Sequence, residues 1–571
     1  MPSFVWDHFD SVDKTSAKCK HCPAIVKRSG NTTNLAAHLA NKHPLLCSVK
    51  NDSPPKQPRI DEQLCEIVSI KEGDRKKDID LRLIWFIVLN LQPFNLVECK
   101  EFIDYVKSLS PHASVPKRGK LLQMTIKLYE SKKDMVKTHL KMFNWYSFTT
   151  DIWTDVRNAK SYIGLTCHFI DNYKSSSLCL GVREMCQSHT SDNIVKKMKS
   201  IMTEFEIEAD SLVSIATDGA ANIKSAAKEI VKTPIWCIAH RLNLIVNDAI
   251  SRCGEVEDLV GAVRSIVTLS KQSNNFADAI RSEQLKEKDT VLKLKQDVQT
   301  RWNSTYFMVN RYLELRHHGK VALIKVGREE LDIPYDKIDI LNDINNILLP
   351  FYTVTLDISG EKYVTVSRAI PVINMLKAHI FKIDMKTSIR VDFKTRLTNN
   401  INFRFDAIEY NSIFACATIL DPRFKKIDFM NIQACSRAVN HINEMLDSIP
   451  LTQSNQIPTI HTGLWAFHDE RCKQVARNND EGLDPSLKHY LSLPTINLSE
   501  DPLEYWRKNK ESLHCLHNLA IKYLTPTATS VPCERLFSKS GNVITEKRNR
   551  LKPSNVEMIC FLNSLPENLM Y

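Results

Sequence analysis

Between Phe143 and Arg252 the hydrophobic period of the chain changes repeatedly, and this limits the fold more than any other feature. FNWYSFTTDIW (143–153), YIGLTCHFI (162–170) and SLCLGVREM (177–185) are β-branched and aromatic runs joined by short polar links, the pattern of a three-stranded meander. Ser191 to Phe205 has the spacing of an amphipathic helix, and SLVSIATDGA (211–220) reads as a strand ending at Asp218. A short helix follows, then IWCIAH (235–240) as another strand. The last helix starts at about Arg241 and gathers Leu242, Ile245, Val246 and Ala249 on one face. The predicted order is β-β-β-α-β-α-β-α.

The sequence on either side is helical in character. Leu81, Ile84, Trp85, Val88 and Leu89 follow i, i+3, i+4 spacing, as do Phe102, Tyr105 and Val106. After Arg252 no strand run of similar quality occurs, and only 14 of 571 residues are glycine, against a usual share of about 7%. A chain of this length divides into several domains. Residues 44–77 mix prolines and charges and read as a linker, and the segment from about Thr452 to Glu500, rich in Ser, Asn, Thr and Asp, reads as a loop. The most apolar stretch, LRLIWFIVLNL (81–91), is far short of the roughly 20 residues that span a bilayer, so a buried helix and no membrane partner are expected. The start MPSFVWDHFD has no signal-peptide pattern and the sixteen cysteines form no dense framework, which predicts reduced thiols inside the cell. A net charge of +11 favours an anionic partner, and double-stranded DNA is the simplest. No small-molecule substrate is expected.

Cys19-x2-Cys22-x15-His38-x4-His43 has the ligand types, order and spacing of a tetrahedral Zn2+ site. His38 and His43 are expected near the end of a helix running from about Thr32 and capped by Asn31 or Thr32, with Trp6 and Phe9 in a small aromatic core. So short a segment depends on the metal for its stability. The spacing resembles the BED finger over residues 3 to 44. Lys14, Lys18, Lys20, Lys27, Arg28 and Lys42 surround the site and suit phosphates, although a solvated face explains any one of them equally well. Asn31, Thr32 and Asn34 at the helix start are within reach of base edges in a major groove.

The strand order from 143 to 252 is that of the ribonuclease-H-like fold, in which the first and fourth strands are neighbours. Asp151 and Asp218 are therefore expected side by side. From the finger to the C-terminus the chain resembles the hAT superfamily of DNA transposases and the zinc-finger BED-domain proteins derived from it. The motifs that carry the resemblance are TTDIWT (149–154), TDGAANI (217–223), CIAHRLNL (237–244), TRWNS (300–304), SGEKYVT (359–365), LDPRFK (420–425) and SVPCERLFSKSGNVITEKRNRL (530–551).

The resemblance implies that Asp151, Asp218 and Glu534 hold Mg2+ or Mn2+ for two-metal phosphoryl transfer, and it favours Asp151 over the alternative Asp155, four residues on. It makes Cys237 and His240 active-site support, against a plainer reading of a buried thiol and a helix-capping histidine. It makes Arg301 and Trp302 DNA contacts at the cleavage point, the indole stacking on a displaced base, where the alternative is an anchor between insertion and core. Lys547, Arg548, Arg550 and Lys552 either contact DNA backbone or pair with acids at a dimer seam. The final segment sets Leu536, Phe537, Val543, Ile544, Leu551, Val556, Ile559, Cys560 and Leu562 at helical spacing, which agrees with the family's use of this region for homodimerisation.

The expected class is multidomain α/β: a BED zinc finger (3–44), a linker (45–77) and a helical module (78–140), then a ribonuclease-H-like core (143–252) interrupted by a large, mostly helical insertion (253–500). Residues 501–571 complete the core and form the dimerisation region. Two functions follow from the resemblance, both nuclear: a transposase that cleaves and joins DNA, or a domesticated, inactive relative that binds DNA as a dimeric transcription regulator.

Overall fold

The computed structural model describes residues 4–28, 31–43, 72–110, 114–155, 159–287, 290–298, 301–384, 388–448, 482–543 and 551–570. It forms two compact units, Met1–Arg82 and Leu83–Tyr571. Among the described residues no helix is long and apolar enough to cross a membrane.

The first unit is a three-stranded antiparallel sheet, β1 (Phe9–Ser11), β2 (Ser16–Cys19) and β3 (Ile25–Lys27), followed by α1 (Thr33–Lys42). Asp13 makes the first turn: its carboxylate accepts from Thr15 N (2.6 Å), Thr15 Oγ1 (2.9 Å) and Ser16 Oγ (2.5 Å). These bonds, the one from Ser16 first, hold the Asp13 pKa down at about 2. Val5, Phe9, Ala17, Cys19, Leu35 and Leu39 make the core. Phe9 lies in it as expected. Trp6 packs at its edge, with the Arg28 guanidinium 4.7 Å from its ring centre. Thr32 is the N-cap of α1, but its side chain makes no capping bond.

Helix α2 (Glu72–Leu89) spans the boundary between the units, and in the second unit α3 (Lys100–Leu109) and α4 (Arg118–Leu140) precede the sheet. The helical module thus begins at Glu72, six residues earlier than expected, and the rest of the expected linker lies outside the described residues. Ile84, Trp85 and Val88 are buried, whereas Leu89 and Tyr105 are exposed and α3 buries none of its side chains fully.

The large sheet runs in the order β6-β5-β4-β7-β8. β4 (Tyr146–Asp155), β5 (Lys160–Asp171) and β6 (Lys174–Met185) form the predicted antiparallel meander. After α5 (Ser191–Glu204), β7 (Leu212–Thr217) joins β4 in parallel, pairing Thr149 with Ala216. Helix α6 (Ala221–Ile230) then leads to β8, which is only Ile235–Trp236, parallel to β7. The expected six-residue strand stops there because Cys237 caps a helix: its sulfur accepts from His240 N at 3.4 Å, and α7 (Ile238–Arg252) begins at once. Leu242, Ile245, Val246 and Ala249 are buried on one face, as their spacing predicts.

Eight helices follow: α8 (Gly254–Gln272), α9 (Asn274–Gln284), α10 (Trp302–Lys325), α11 (Tyr335–Ile358), α12 (Ala369–Lys382), α13 (Ser388–Phe405), α14 (Ser412–Leu420) and α15 (Ile432–Asp447). One apolar cluster joins them to β7, β8 and to the next three helices, α16 (Pro485–Ser492), α17 (Pro502–Lys508) and α18 (His514–Leu524). Residues 452–481 of the expected loop lie outside the described residues. The remainder is not all loop, because Asp484 accepts from Ser486 N and Leu487 N and Pro485 opens α16.

The chain ends in α19 (Val531–Val543), α20 (Pro553–Ser564) and α21 (Glu567–Met570). Leu536, Phe537, Val543, Val556, Ile559, Cys560 and Leu562, expected at a subunit seam, are instead buried within the chain. Helix α20 packs on β6 and α4: Tyr129 donates to Glu557 Oε1 at 2.9 Å, and the Phe561 ring meets Tyr129 edge-on at 5.2 Å. Asn563 also donates to the carbonyls of Val88 and Leu89. A dimer built through this region must use its outward side chains. Ile544 lies outside the described residues.

Candidate zinc finger and carboxylate site

In the first unit, Cys19, Cys22, His38 and His43 offer ligand atoms that all lie within 4.8 Å of one another, and no other such group occurs among the described residues. Cys22 Sγ is 3.3 Å from His38 Nε2 and Cys19 Sγ is 3.6 Å from His43 Nε2. A zinc tetrahedron with ordinary bond lengths has S–N edges of about 3.5 Å, so the donor set fits the ion. His21 N donates to Cys19 Sγ at 3.4 Å, which steadies the knuckle. Burial first, then His38 and His21, lower the pKa of His43 and favour the neutral ring that a metal binds.

The side chains expected at DNA surround this centre. Lys27, Asn31 and Asn34 are exposed and Thr32 and Arg28 half-buried. Asn34 Nδ2 donates to the Lys27 carbonyl at 3.1 Å, tying α1 to β3 and using one of the two N–H donors of its amide.

In the second unit, Asp151 and Asp218 each lie two residues beyond the last β4–β7 pair, Thr149 with Ala216. Parallel strands in that register bring both carboxylates to the same sheet edge on the same face. Gly219, at φ +89°, makes the turn after β7, while Asp218 Oδ1 accepts from Ala220 N at 3.0 Å. Asp151 Oδ1 accepts from Ile152 N at 2.8 Å. Glu534 arrives on α19. The approach to α19 is held by Ala528, whose N donates to Thr365 Oγ1 (3.1 Å) and whose carbonyl accepts from Ile238 N (3.1 Å).

The three acids feel one another. Burial first, then Asp218 and Glu534, push the Asp151 pKa up to about 7. Burial and Asp218 also raise the pKa of Glu534, while Arg301 and His240 oppose the rise. Three acids and two basic groups therefore converge from β4, β7, α7, α19 and the start of α10.

Asp155, the alternative to Asp151, is buried at the far end of β4, where its charge acts on Tyr162. Cys237 is the cap of α7 and a fully buried thiol, its pKa pushed up to about 11 mainly by burial. The capping role expected of His240 thus belongs to Cys237, while His240 lies near enough to Glu534 to act on its pKa. Arg301 is exposed, but Trp302 is only 2% exposed, its ring against Tyr306 and Phe351 at 6.4 and 6.2 Å. This corrects the stacking role, because the indole is an anchor with no free face. Lys547, Arg548 and Arg550 lie outside the described residues, and Lys552 is exposed.

Sequence reasoning missed several supports. Asn243 Oδ1 accepts from Trp302 N at 2.9 Å and so fixes the start of α10 beside Arg301. In LDPRFK, Asp421 is fully buried and accepts from Ser367 Oγ (2.7 Å) and twice from the Arg423 guanidinium (2.9 and 2.6 Å). Lys425 Nζ donates to the Tyr490 carbonyl at 2.7 Å. That motif is scaffold. The quoted motifs held both Asn243 and Thr365, and only the fold reveals their partners.

Four family models match the chain: the BED zinc finger over residues 3–44, the ZBED1 RNase-like domain over 149–244, the ZBED1 RNase-like helical domain over 235–331 and the hAT family C-terminal dimerisation region over 486–565. Among similar proteins is human zinc finger BED domain-containing protein 4, 24% identical over 98% of this chain and 51% of its own length. A Zea mays protein named as an AC transposase is 25% identical over 95% of this chain and 71% of its own. A Talaromyces stipitatus protein named as a transcriptional regulator is 24% identical over 84% and 61%. The chain thus spans about half the length of the first of these relatives. With a BED finger at one end, a hAT dimerisation region at the other and both kinds of protein as relatives, the chain carries the domains of, and is similar along its length to, hAT transposases and zinc finger BED-domain proteins.

Proposed function

We propose that this protein binds DNA through its zinc finger and cleaves and joins DNA strands at transposon ends with Asp151, Asp218 and Glu534. The observation that carries the reading is the convergence of these acids from β4, β7 and α19, close enough that each of the other two raises the pKa of Asp151. Mg2+ or Mn2+, when bound, would supply charge for an in-line displacement at phosphorus. Asp151 and Asp218 hold one side of the site and Glu534 the other. Arg301 and His240 oppose the rise of the Glu534 pKa, and the Arg301 guanidinium offers positive charge to a DNA phosphate. Arg301 is presented by the Asn243 cap, and Trp302 fixes that presentation from inside the core.

In this reading residues 143–252 and 501–571 make one ribonuclease-H-like core, with 253–500 as its helical insertion. Residues 3–44 are the DNA-reading finger and 78–140 a helical module. The protein is a nuclear homodimer, associated through the outward side of its C-terminal region. Lys27, Arg28, Asn31, Thr32 and Asn34 face DNA on the finger, and the basic residues Lys547, Arg548 and Arg550 its backbone. Calorimetric titration with Mn2+ tests the site: wild type binds and Asp218→Asn loses at least tenfold in affinity, whereas equal binding by both contradicts the assignment.

A second reading has its own support. An Asp151 pKa near 7 leaves that acid partly protonated without metal, and the Talaromyces relative is named as a transcriptional regulator. A regulator would keep zinc-dependent DNA binding and show no Mn2+ binding at the acids.

A further inference from the structure

We infer that Gly164 is a positioning residue of the carboxylate site: lacking a side chain, it lets the helix that carries Glu534 lie flush against the sheet. The inference rests on the carboxylate reading above for its functional meaning, but its geometry stands apart from it.

Gly164 is the direct cross-strand partner of Asp151 in the β4–β5 ladder. Directly paired residues present the same face of a sheet. A Cβ placed on Gly164 would lie 2.7 Å from Cys533 Sγ and 2.8 and 3.1 Å from Phe537 Cζ and Cε1. Carbon–carbon and carbon–sulfur contacts begin near 3.5 Å, so α19 occupies the space a side chain would need. Neither neighbour can turn aside freely. Cys533 is fully buried, and the Trp153 ring stacks on Phe537 at 6.0 Å and 28°.

The next residues complete the clamp. Arg535 Nη2 donates to the Ser359 carbonyl at 2.9 Å and Nη1 pairs with Glu361 at 2.6 Å. Helix α19 is thus pressed on the sheet at Cys533 and tethered to the insertion at Arg535, with Glu534 between. A methyl group at 164 must lift the helix away from the row that holds Asp151 and so move Glu534 away from the other two acids. In a chain with so few glycines, this one stands where the two halves of the site meet.

The test uses the full chain in three versions: wild type, Gly164→Ala, and Gly164→Ala combined with Cys533→Ala and Phe537→Leu to clear the space. Mn2+ binding is read from the electron paramagnetic resonance signal of the free ion, and the seating of α19 from hydrogen exchange of residues 531–543. The expected result is at least tenfold weaker Mn2+ binding and faster exchange in Gly164→Ala, both recovered in the triple variant, with finger-dependent DNA binding unchanged throughout. Gly164→Ala that matches wild type in exchange and Mn2+ affinity overturns the inference. So does a triple variant that recovers neither, since the loss is then general instability. If wild type binds no Mn2+ while exchange changes and recovers as expected, the carboxylate reading fails and the positioning role of Gly164 stands.

Discussion

Asp151 owes its raised pKa to two causes of different kind, burial at a sheet edge and the charges of Asp218 and Glu534. Because its folded value, about 7, lies above the 3.8 of an ordinary aspartate, protonation favours the folded chain. The contribution is whole below about pH 4 and is lost as pH rises through about 7. Without added Mg2+ or Mn2+ the core should therefore become less stable between those values, by up to about 4 kcal/mol from this group. Asp151→Asn should abolish most of that dependence and stabilise the metal-free core at pH 8, as denaturant titrations at pH 5 and 8 would reveal. A core whose stability is flat over this range would contradict it. Trp302 makes a second prediction at this scale. Being only 2% exposed, it should cost about 3–5 kcal/mol of stability on change to alanine. A base-stacking indole would instead lose DNA affinity at unchanged stability. The strand order made the meeting of Asp151 and Asp218 legible in the sequence. For Trp302 the sequence left base stacking and anchoring both open, because polar neighbours such as Asn303 and Ser304 disguise a side chain that the far larger helical core covers.

Local signals fixed most elements and failed where a distant partner decides. The meander, α5 and β7 stand within a few residues of their predicted ends, since each buries its own periodic face. IWCIAH has strand composition, yet Cys237 caps a helix two residues after Ile235 begins β8, and Ala528, nearly 300 residues on, bonds the first helical amide. α16 was hidden by a polar composition that its Asp484 cap and Pro485 explain. The amphipathic C-terminal pattern was real, but a period cannot say whether its face meets another chain or its own. Since Phe561 is fully buried against Tyr129 and Phe205, Phe561→Ala should lower the stability of the core by about 3–5 kcal/mol at every protein concentration. If the residue acted at a dimer seam, light scattering would show dissociation and the unfolding midpoint would depend on concentration.

At the scale of the molecule, the finger and the core belong to separate compact units. The finger's core is six residues, too small to hold without zinc, whereas one large apolar cluster organises the core. Cys22→Ser should therefore unfold residues 4–43 and abolish site-specific DNA binding, while the thermal transition of the core stays within a degree or two of wild type. A single transition that moves as one would contradict separable modules. The chemistry proposed for the second unit calls for a cleavage and strand-transfer assay in Mn2+, on DNA from the flanks of the protein's own gene, with Glu534→Gln beside wild type. Strand-transfer product from wild type and none from Glu534→Gln is the predicted result. Product from neither, with zinc-dependent DNA binding intact in both, would contradict the claim and leave the core as the scaffold of a DNA-binding regulator.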